Sequence, residues 1–356
     1  MNKCRVALLS ALLASTGATA ADDLELNIGG FVWGEVGFGD RYDNSDDDRL
    51  GVSKVALTLS PEYKNTRAVI VLGADGLFNE EHFSDGGASN NDAEFKEAFV
   101  GIKVDLAGGV FDTTMGKQPL LFGLKPNGWV GDRSIQSGYE FGGAGGVNIS
   151  GQVQTAIIAD WSWGGDGSGS AVSSIGSDGS WSIRFGLFDT DEDGPGDEAS
   201  SITDNFILQI RGDNLFGTGL YGSAGYQQNY QEISDDEEGI ISVGAGWNFG
   251  MFDLSLEYQG IDQAIVEEWN GLPLGTLDDD ETVIIAEATF NLNEQWSFYA
   301  DYATADEADV DTIRVGADFM YNEHMSFIIE YSDDSYATSA SALDTDSIDL
   351  RAAFSF

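Results

Sequence analysis

The strongest constraint on this chain is a two-residue period. Leu24, Leu26, Ile28, Gly30, Val32, Gly34, Val36 and Phe38 fall on every second position, with Glu25, Asn27, Gly29, Phe31, Trp33 and Glu35 between them. A period of two marks a strand with one apolar face. The pattern returns in Val55, Leu57 and Leu59, which alternate with Lys54, Ala56 and Thr58. It is still running at the end of the chain, in Ile348, Leu350, Ala352, Phe354 and Phe356. A chain built this way needs a sheet whose apolar face is covered.

What covers it follows from the ends and the composition. Residues 1–20 read as a secretory signal. Lys3 and Arg5 form a charged start, an apolar run follows, and Ala18-Thr19-Ala20 fits the small-residue cleavage rule. The only cysteine, Cys4, lies in this leader, so the mature chain, residues 21–356, is expected to have no thiol chemistry. Sixty-one acidic residues against 16 basic ones give a formal charge of −45. A sequence-independent nucleic-acid binder needs a basic face instead. No run of 18 apolar residues follows the leader, which excludes transmembrane helices. Export, 12% aromatic residues and 46 glycines fit an all-β transmembrane antiparallel barrel, whose strands are apolar on the lipid side only.

The connections agree. Short turns at residues 61–65, 105–109, 212–219, 248–251, 291–295 and 321–324 alternate with long polar loops at 40–49, 75–92, 189–204, 231–239, 259–281, 305–311 and 333–345. Membrane barrels have short turns at one rim and long loops at the other, whereas a soluble sandwich gives no reason for that alternation. Ten strands count back from the C-terminus to Trp181, and five precede residue 117. Residues 147–163 taken as one strand give sixteen. Broken at Ser150-Gly151, with a further strand near 171–175, they give eighteen.

Parity assigns the faces. Lys54, Lys103, Arg184, Arg211, Arg314 and Arg351 all fall out of phase with their apolar neighbours, as do Glu97, Asp253, Glu257, Glu287, Asp301, Asp318, Glu330 and Asp349. A lysine or arginine at mid-bilayer on the lipid side costs about 2–4 kcal/mol. These residues therefore point into a lumen, with the six bases on its wall. So many inward charges predict a wet interior, and about sixteen strands leave an aqueous channel. Trp161, Trp163, Trp181, Trp247, Tyr258, Trp296, Tyr302, Phe319, Tyr321, Tyr331 and Phe354 share the outward phase, most near strand ends, as interfacial girdles require.

One long stretch breaks the period. Residues 117–146 hold two of the five prolines and eight glycines, with Lys117, Lys125, Asp132, Arg133 and Glu140 spread among apolar residues. An aperiodic segment of this length is functional or disordered. Leu120, Leu121, Phe122, Leu124, Trp129 and Phe141 argue against disorder. The reading is a constriction loop folded into the lumen, Asp132 and Glu140 facing the wall bases across a narrow gap. Charges placed so set ion preference. The competing reading is that they only keep the lumen hydrated.

Glu97-Ala98-Phe99-Val100-Gly101-Ile102-Lys103, a short turn, and then Met115-Gly116-Lys117-Gln118 resemble the general porin family of Gram-negative outer membranes. The terminal Phe356 resembles the assembly signal of such barrels. In that family an arginine usually stands where Lys117 stands, and the next long loop narrows the barrel. The resemblance implies a homotrimer in the cell outer membrane that passes small polar solutes and ions by passive diffusion. The family's acidic loop tip is replaced by Asp132 and Glu140 flanking Arg133, which leaves ion preference open. A substrate-selective channel for an oligosaccharide or an anion, with Phe31, Trp33, Trp129 and Tyr139 as a slide, stays as an alternative. A non-conducting structural or adhesive barrel is a third reading.

Asp189, Asp191 and Asp193, followed by Gly194, match the first half of a calcium loop, but Ser200 stands where the closing glutamate belongs. That pattern implies at most loosely bound Ca2+ and no other cofactor. The other acidic runs read as solvated loops, or as recruiters of divalent cations that bridge to lipopolysaccharide. His82 and His324 are the only histidines and sit in loops of opposite class. The chain therefore offers no nucleophile, base and orienting group together, and no enzyme is expected.

Overall fold

The computed structural model describes residues 24–38, 49–75, 94–106, 109–125, 153–164, 179–189, 205–231, 236–263, 265, 280–306, 310–336 and 345–356. Its strands are β1 (Leu24–Phe38), β2 (Arg49–Tyr63), β3 (Thr66–Asp75), β4 (Glu94–Leu106), β5 (Gly109–Pro119), β6 (Val153–Gly164), β7 (Ser180–Asp189) and β8 (Phe206–Leu215). They continue as β9 (Leu220–Gln231), β10 (Asp236–Phe249), β11 (Phe252–Ile261), β12 (Glu281–Asn291), β13 (Trp296–Ala305), β14 (Val310–Asn322), β15 (Met325–Tyr336) and β16 (Thr345–Ser355). Each strand pairs antiparallel with its neighbour in sequence, and β16 returns to β1 to close the barrel. The count is sixteen, not eighteen. Of the strand expected over residues 147–163, Val153–Gly164 is described as β6, and residues 147–152 lie outside the described residues. The acidic connection expected over 231–239 shrinks to residues 232–235, because Asp236 already pairs with Gln231.

Closure rests on a reciprocal pair of bonds. The Phe356 N–H donates to the Gly30 carbonyl and the Gly30 N–H donates to the Phe356 carbonyl, each at 3.1 Å. Gly30 has room for this only because it lacks a Cβ, which would sit 2.7 Å from the Phe356 ring and closer still to the Ala56 carbonyl.

The outer face is the apolar phase. Along β1 the inward Phe31, Trp33 and Glu35 are buried. Ile157, Leu208, Ile210, Val243, Leu256 and Ile329 stand exposed on the outside. Near the short-turn rim, outward rings form a continuous band. Trp247 meets Phe249 at 4.7 Å, Phe249 meets Phe252 at 5.3 Å, Phe252 meets Phe290 at 4.9 Å, and Trp296 meets Phe319 at 4.6 Å. This is the expected girdle, spread over β10 to β14.

The inner face is graded. Inward side chains toward the long-loop rim, such as Gln227, Ile240, Glu281 and Ile261, are buried, and those toward the short turns, such as Asp213, Asn248, Asp253 and Asp318, are half-buried. The expectation of a wet interior throughout is corrected here. Ile158, Phe188, Ile207, Ile240, Ile261, Val283 and Ile285 point inward and pack with Leu120 and Phe122 into one apolar cluster inside the barrel. Inward parity therefore does not mean polar throughout: part of this wall is a packed seat for chain that enters the lumen.

Gly30→Val tests the closure. Forcing a branched side chain into this contact costs about 1–3 kcal/mol. The variant is expected to yield less of the compact, heat-modifiable barrel on gel electrophoresis after refolding.

Candidate lumen site

The aperiodic stretch begins inside the barrel. After Pro119 ends β5, residues 120–125 turn inward and run along the wall from β7 to β12. The wall holds them by their backbone. Arg184 on β7 donates from Nη1 to the Leu121 carbonyl at 2.6 Å, and Gln209 on β8 donates from Nε2 to the Gly123 carbonyl at 2.6 Å. Arg211, also on β8, donates from Nη1 to the Leu124 carbonyl at 2.5 Å. In return, the Leu124 N–H donates to Glu257 Oε2 on β11 at 3.1 Å. An irregular backbone buried in a barrel must find such partners, because each orphaned polar group costs about 1–3 kcal/mol.

The side chains of the same segment need recesses. A Cβ on Gly225 of β9 would lie 2.7 Å from the Phe122 ring, and one on Gly244 of β10 would lie 2.9 Å from Leu124 Cβ. Glycine at these inward positions lets the segment approach the sheet. Gly123 is tight for the opposite reason: its φ is +93° and a Cβ there would meet the Glu257 carboxylate at 2.7 Å. Leu120, Phe122 and Leu124 are almost fully buried.

The charged end of the segment is Lys125. Its Nζ lies 2.9 Å from Asp253 Oδ1 on β11 and 2.9 Å from Glu287 Oε2 on β12. Burial alone pulls its pKa down. The charges of Glu287 and Asp253 outweigh that, so the ammonium sits above the ordinary lysine value and stays protonated at any working pH. Tyr221 on β9 donates its O–H to Asp253 Oδ1 at 2.7 Å, and Ser255 donates to Glu287 Oε2 at 2.7 Å. Glu257 is bound as fully, taking O–H from Ser242 at 2.7 Å and N–H from Gln259 at 2.9 Å.

The remaining wall charges are mostly paired along the wall. Arg184 grips Asp160 with Nε at 2.7 Å and Nη2 at 2.9 Å, a bidentate pair. Arg211 lies 3.0 Å from Asp213, and Arg67 lies 2.8 Å from Asp112. Lys103 is inward and half-buried opposite Asp112 in the ladder. Arg314 is buried in register between Asp301 and Ser332. Arg351 approaches Glu35 at 3.5 Å and lies over the Trp33 ring at 4.8 Å. Lys54 pairs in register with Trp33 and Asp75, and its side chain lies outside the described residues.

Two expectations change. Lys117 is not in the loop or the lumen: it lies in β5, in register with Ala98 and Thr155, exposed on the outer side with Met115. Phe31 and Trp33 offer no lumen slide, because their rings pack against each other at 4.9 Å, tilted by 31°, and are only 8% and 2% exposed. Where the segment is described, a loop base, Lys125, meets the wall acids Asp253 and Glu287, while the expected facing of Asp132 and Glu140 to the wall bases falls outside the described residues. Asp132, Arg133, Glu140, Trp129 and Tyr139 lie outside the described residues, as do Asp191, Asp193, His82 and the side chain of Asp189.

Sequence reasoning missed Tyr221 and the two glycine recesses. Their signal was present: Gly225, Gly244 and Gly246 all fall on the inward phase of adjacent strands, and inward glycines mark a close approach.

Comparison with known proteins gives the family. The sequence matches the profile of the Gram-negative porins over residues 7–348. The chain belongs to the Gram-negative porin family. This porin is therefore an outer-membrane channel, and the sixteen-strand barrel is the family's fold. Among solved structures it is similar to OmpF of Salmonella typhi in complex with daunomycin (14% identity, TM-score 0.61, covering 95% of this chain and 99% of that one). It is similar as well to an anion-selective porin of Comamonas acidovorans (15% identity, TM-score 0.58, 94% and 100% covered). A third likeness is to OmpT of Vibrio cholerae in its trimer form (12% identity, TM-score 0.54, 94% and 100% covered). Comparison with curated protein sequences gives no match.

Phe122→Ala empties a closed recess, and a loss of this kind costs about 3–5 kcal/mol. The segment is expected to leave the wall more readily, seen as faster limited proteolysis between β5 and β6 in the folded protein.

Proposed function

We propose that this porin passes small hydrophilic solutes and ions by passive diffusion through a lumen narrowed by the chain between β5 and β6. One observation carries the reading. Residues 120–125 cross the inner wall from β7 to β12, bonded to four strands, so the chain that follows starts from inside the lumen. The half-buried charges toward the short-turn rim keep the rest of the path hydrated.

We further infer a homotrimer. Outward rings are concentrated on β6 to β16, while the middle of the outer face on β2 to β4 carries Leu57, Leu59, Ala68, Ile70, Val100 and Ile102. That face bears a depression of about 520 Å³ lined by Pro61, Tyr63, Ala68, Val100, Ile102 and Met115. A face turned to lipid calls for girdles, and a face turned to another copy calls for small aliphatic residues and recesses. The acidic loops of the long-loop rim, with Asp189, Asp191 and Asp193 among them, are proposed to hold divalent cations loosely and to meet lipopolysaccharide through them. Residues 1–20 are proposed as the cleaved leader.

Two measurements test these readings. Deleting residues 121–138 is expected to raise single-channel conductance in planar bilayers, and an unchanged step would remove the constriction. Val100→Arg is expected to convert trimer to monomer on native gels. Val243→Arg, equally exposed but on β10, is expected to leave the trimer intact.

A further inference from the structure

The inner wall from β11 to β16 is acidic in a connected way. Asp253, Glu287, Asp301, Glu330 and Asp349 occupy neighbouring inward positions. Two of these carboxylates are set by the same device. Tyr221 lies across Gly246 of the next strand, where any Cβ would strike its ring, and reaches Asp253 one strand further on. Tyr299 lies across Gly316 in the same way and donates to Glu330 Oε2 at 2.8 Å. A ring held between strands cannot swing, so these carboxylates are fixed features of the wall.

Arg314 and Arg351 answer part of that charge from within the barrel, and as strand residues they are as fixed as the acids. Lys125 is different. It belongs to the in-folded segment, and it reaches two carboxylates that the wall holds through Tyr221 and Ser255.

We propose that Lys125 is a specificity-determining residue of the channel: a loop-borne counter-ion whose seating on Asp253 and Glu287 sets the ion preference of the lumen. With the ammonium seated, two fixed negative charges face one positive charge. With it neutralised or displaced, both carboxylates face the lumen uncompensated and concentrate cations there. This rests on the diffusion-channel reading above.

The test uses the full-length protein, refolded, checked by heat-modifiable mobility, and inserted into planar bilayers under a KCl gradient. The reversal potential gives the ratio of K+ to Cl− permeability. Lys125→Gln is expected to raise that ratio on the order of twofold or more, while Lys125→Arg stays near wild type. The double variant Asp253→Asn with Glu287→Gln leaves Lys125 untouched and is expected to move the ratio the other way, toward chloride. Joining all three neutral substitutions should return it toward wild type. The proposal is overturned if Lys125→Gln conducts with an unchanged ratio, or if the double variant moves the ratio in the same direction as Lys125→Gln. Should Lys125→Gln fail to fold, the double variant decides alone, and a ratio not shifted toward chloride overturns the proposal. Wild-type protein that folds but shows no conductance steps fails the channel reading itself, a result distinct from an unchanged ratio in a conducting channel.

Discussion

Everything in this molecule depends on satisfying a backbone where water is absent. In lipid an unpaired N–H or C=O costs several kcal/mol, so a sheet can cross only if it has no edge. The ring closes where β16 meets β1, and the last bonds of that seam run between Gly30 and Phe356. The seam fixes the phase of every strand, because paired residues share a face. Once the outer face is given to lipid, most ionised side chains of the strands go inward, Lys117 on β5 being an outward exception, and the interior has to accommodate them.

It does so in two ways, divided along the barrel axis. Toward the short turns the inner wall is half-open, and charges there are hydrated or paired sideways, as in Arg67 with Asp112 and Arg211 with Asp213. Toward the long loops the wall is lined with isoleucine, phenylalanine and valine, which a water-filled tube has no use for. Their presence follows from the in-folded segment, whose Leu120 and Phe122 complete the cluster. The segment is thus bound as a domain core is bound, by apolar burial worth roughly 1.5–3 kcal/mol per large side chain, with backbone bonds adding direction.

The alternation made the barrel legible, because lipid outside and water inside impose it on every strand. The inward phase of Arg184, Arg211, Arg314 and Arg351 could be read in the same way. Lys117 could not, since β5 carries Val110 and Phe111 side by side and leaves its own phase undecided. The ladder decides it, by placing Met115 opposite Val100 and Ile157. The roles of Arg184 and Arg211 were equally hidden. Their phase was visible, but their partners are backbone carbonyls of a segment without periodicity, and no pattern in the sequence pairs a strand residue with a loop carbonyl. The short β9–β10 connection was obscured because acidic residues 236–238 read as loop while their backbone still pairs.

The two ends of the described segment are held by opposite physics. At Leu120 and Phe122 the hold is apolar and insensitive to salt. At Lys125 it is ionic, shared with Asp253 and Glu287, and the lysine side chain keeps about a third of its surface exposed. Ion pairs with such exposure weaken as salt rises, while buried apolar contacts do not. The segment is therefore a fixed root with a releasable end. Ionic strength acts on the charged end first and leaves the Phe122 and Leu124 side chains in their recesses.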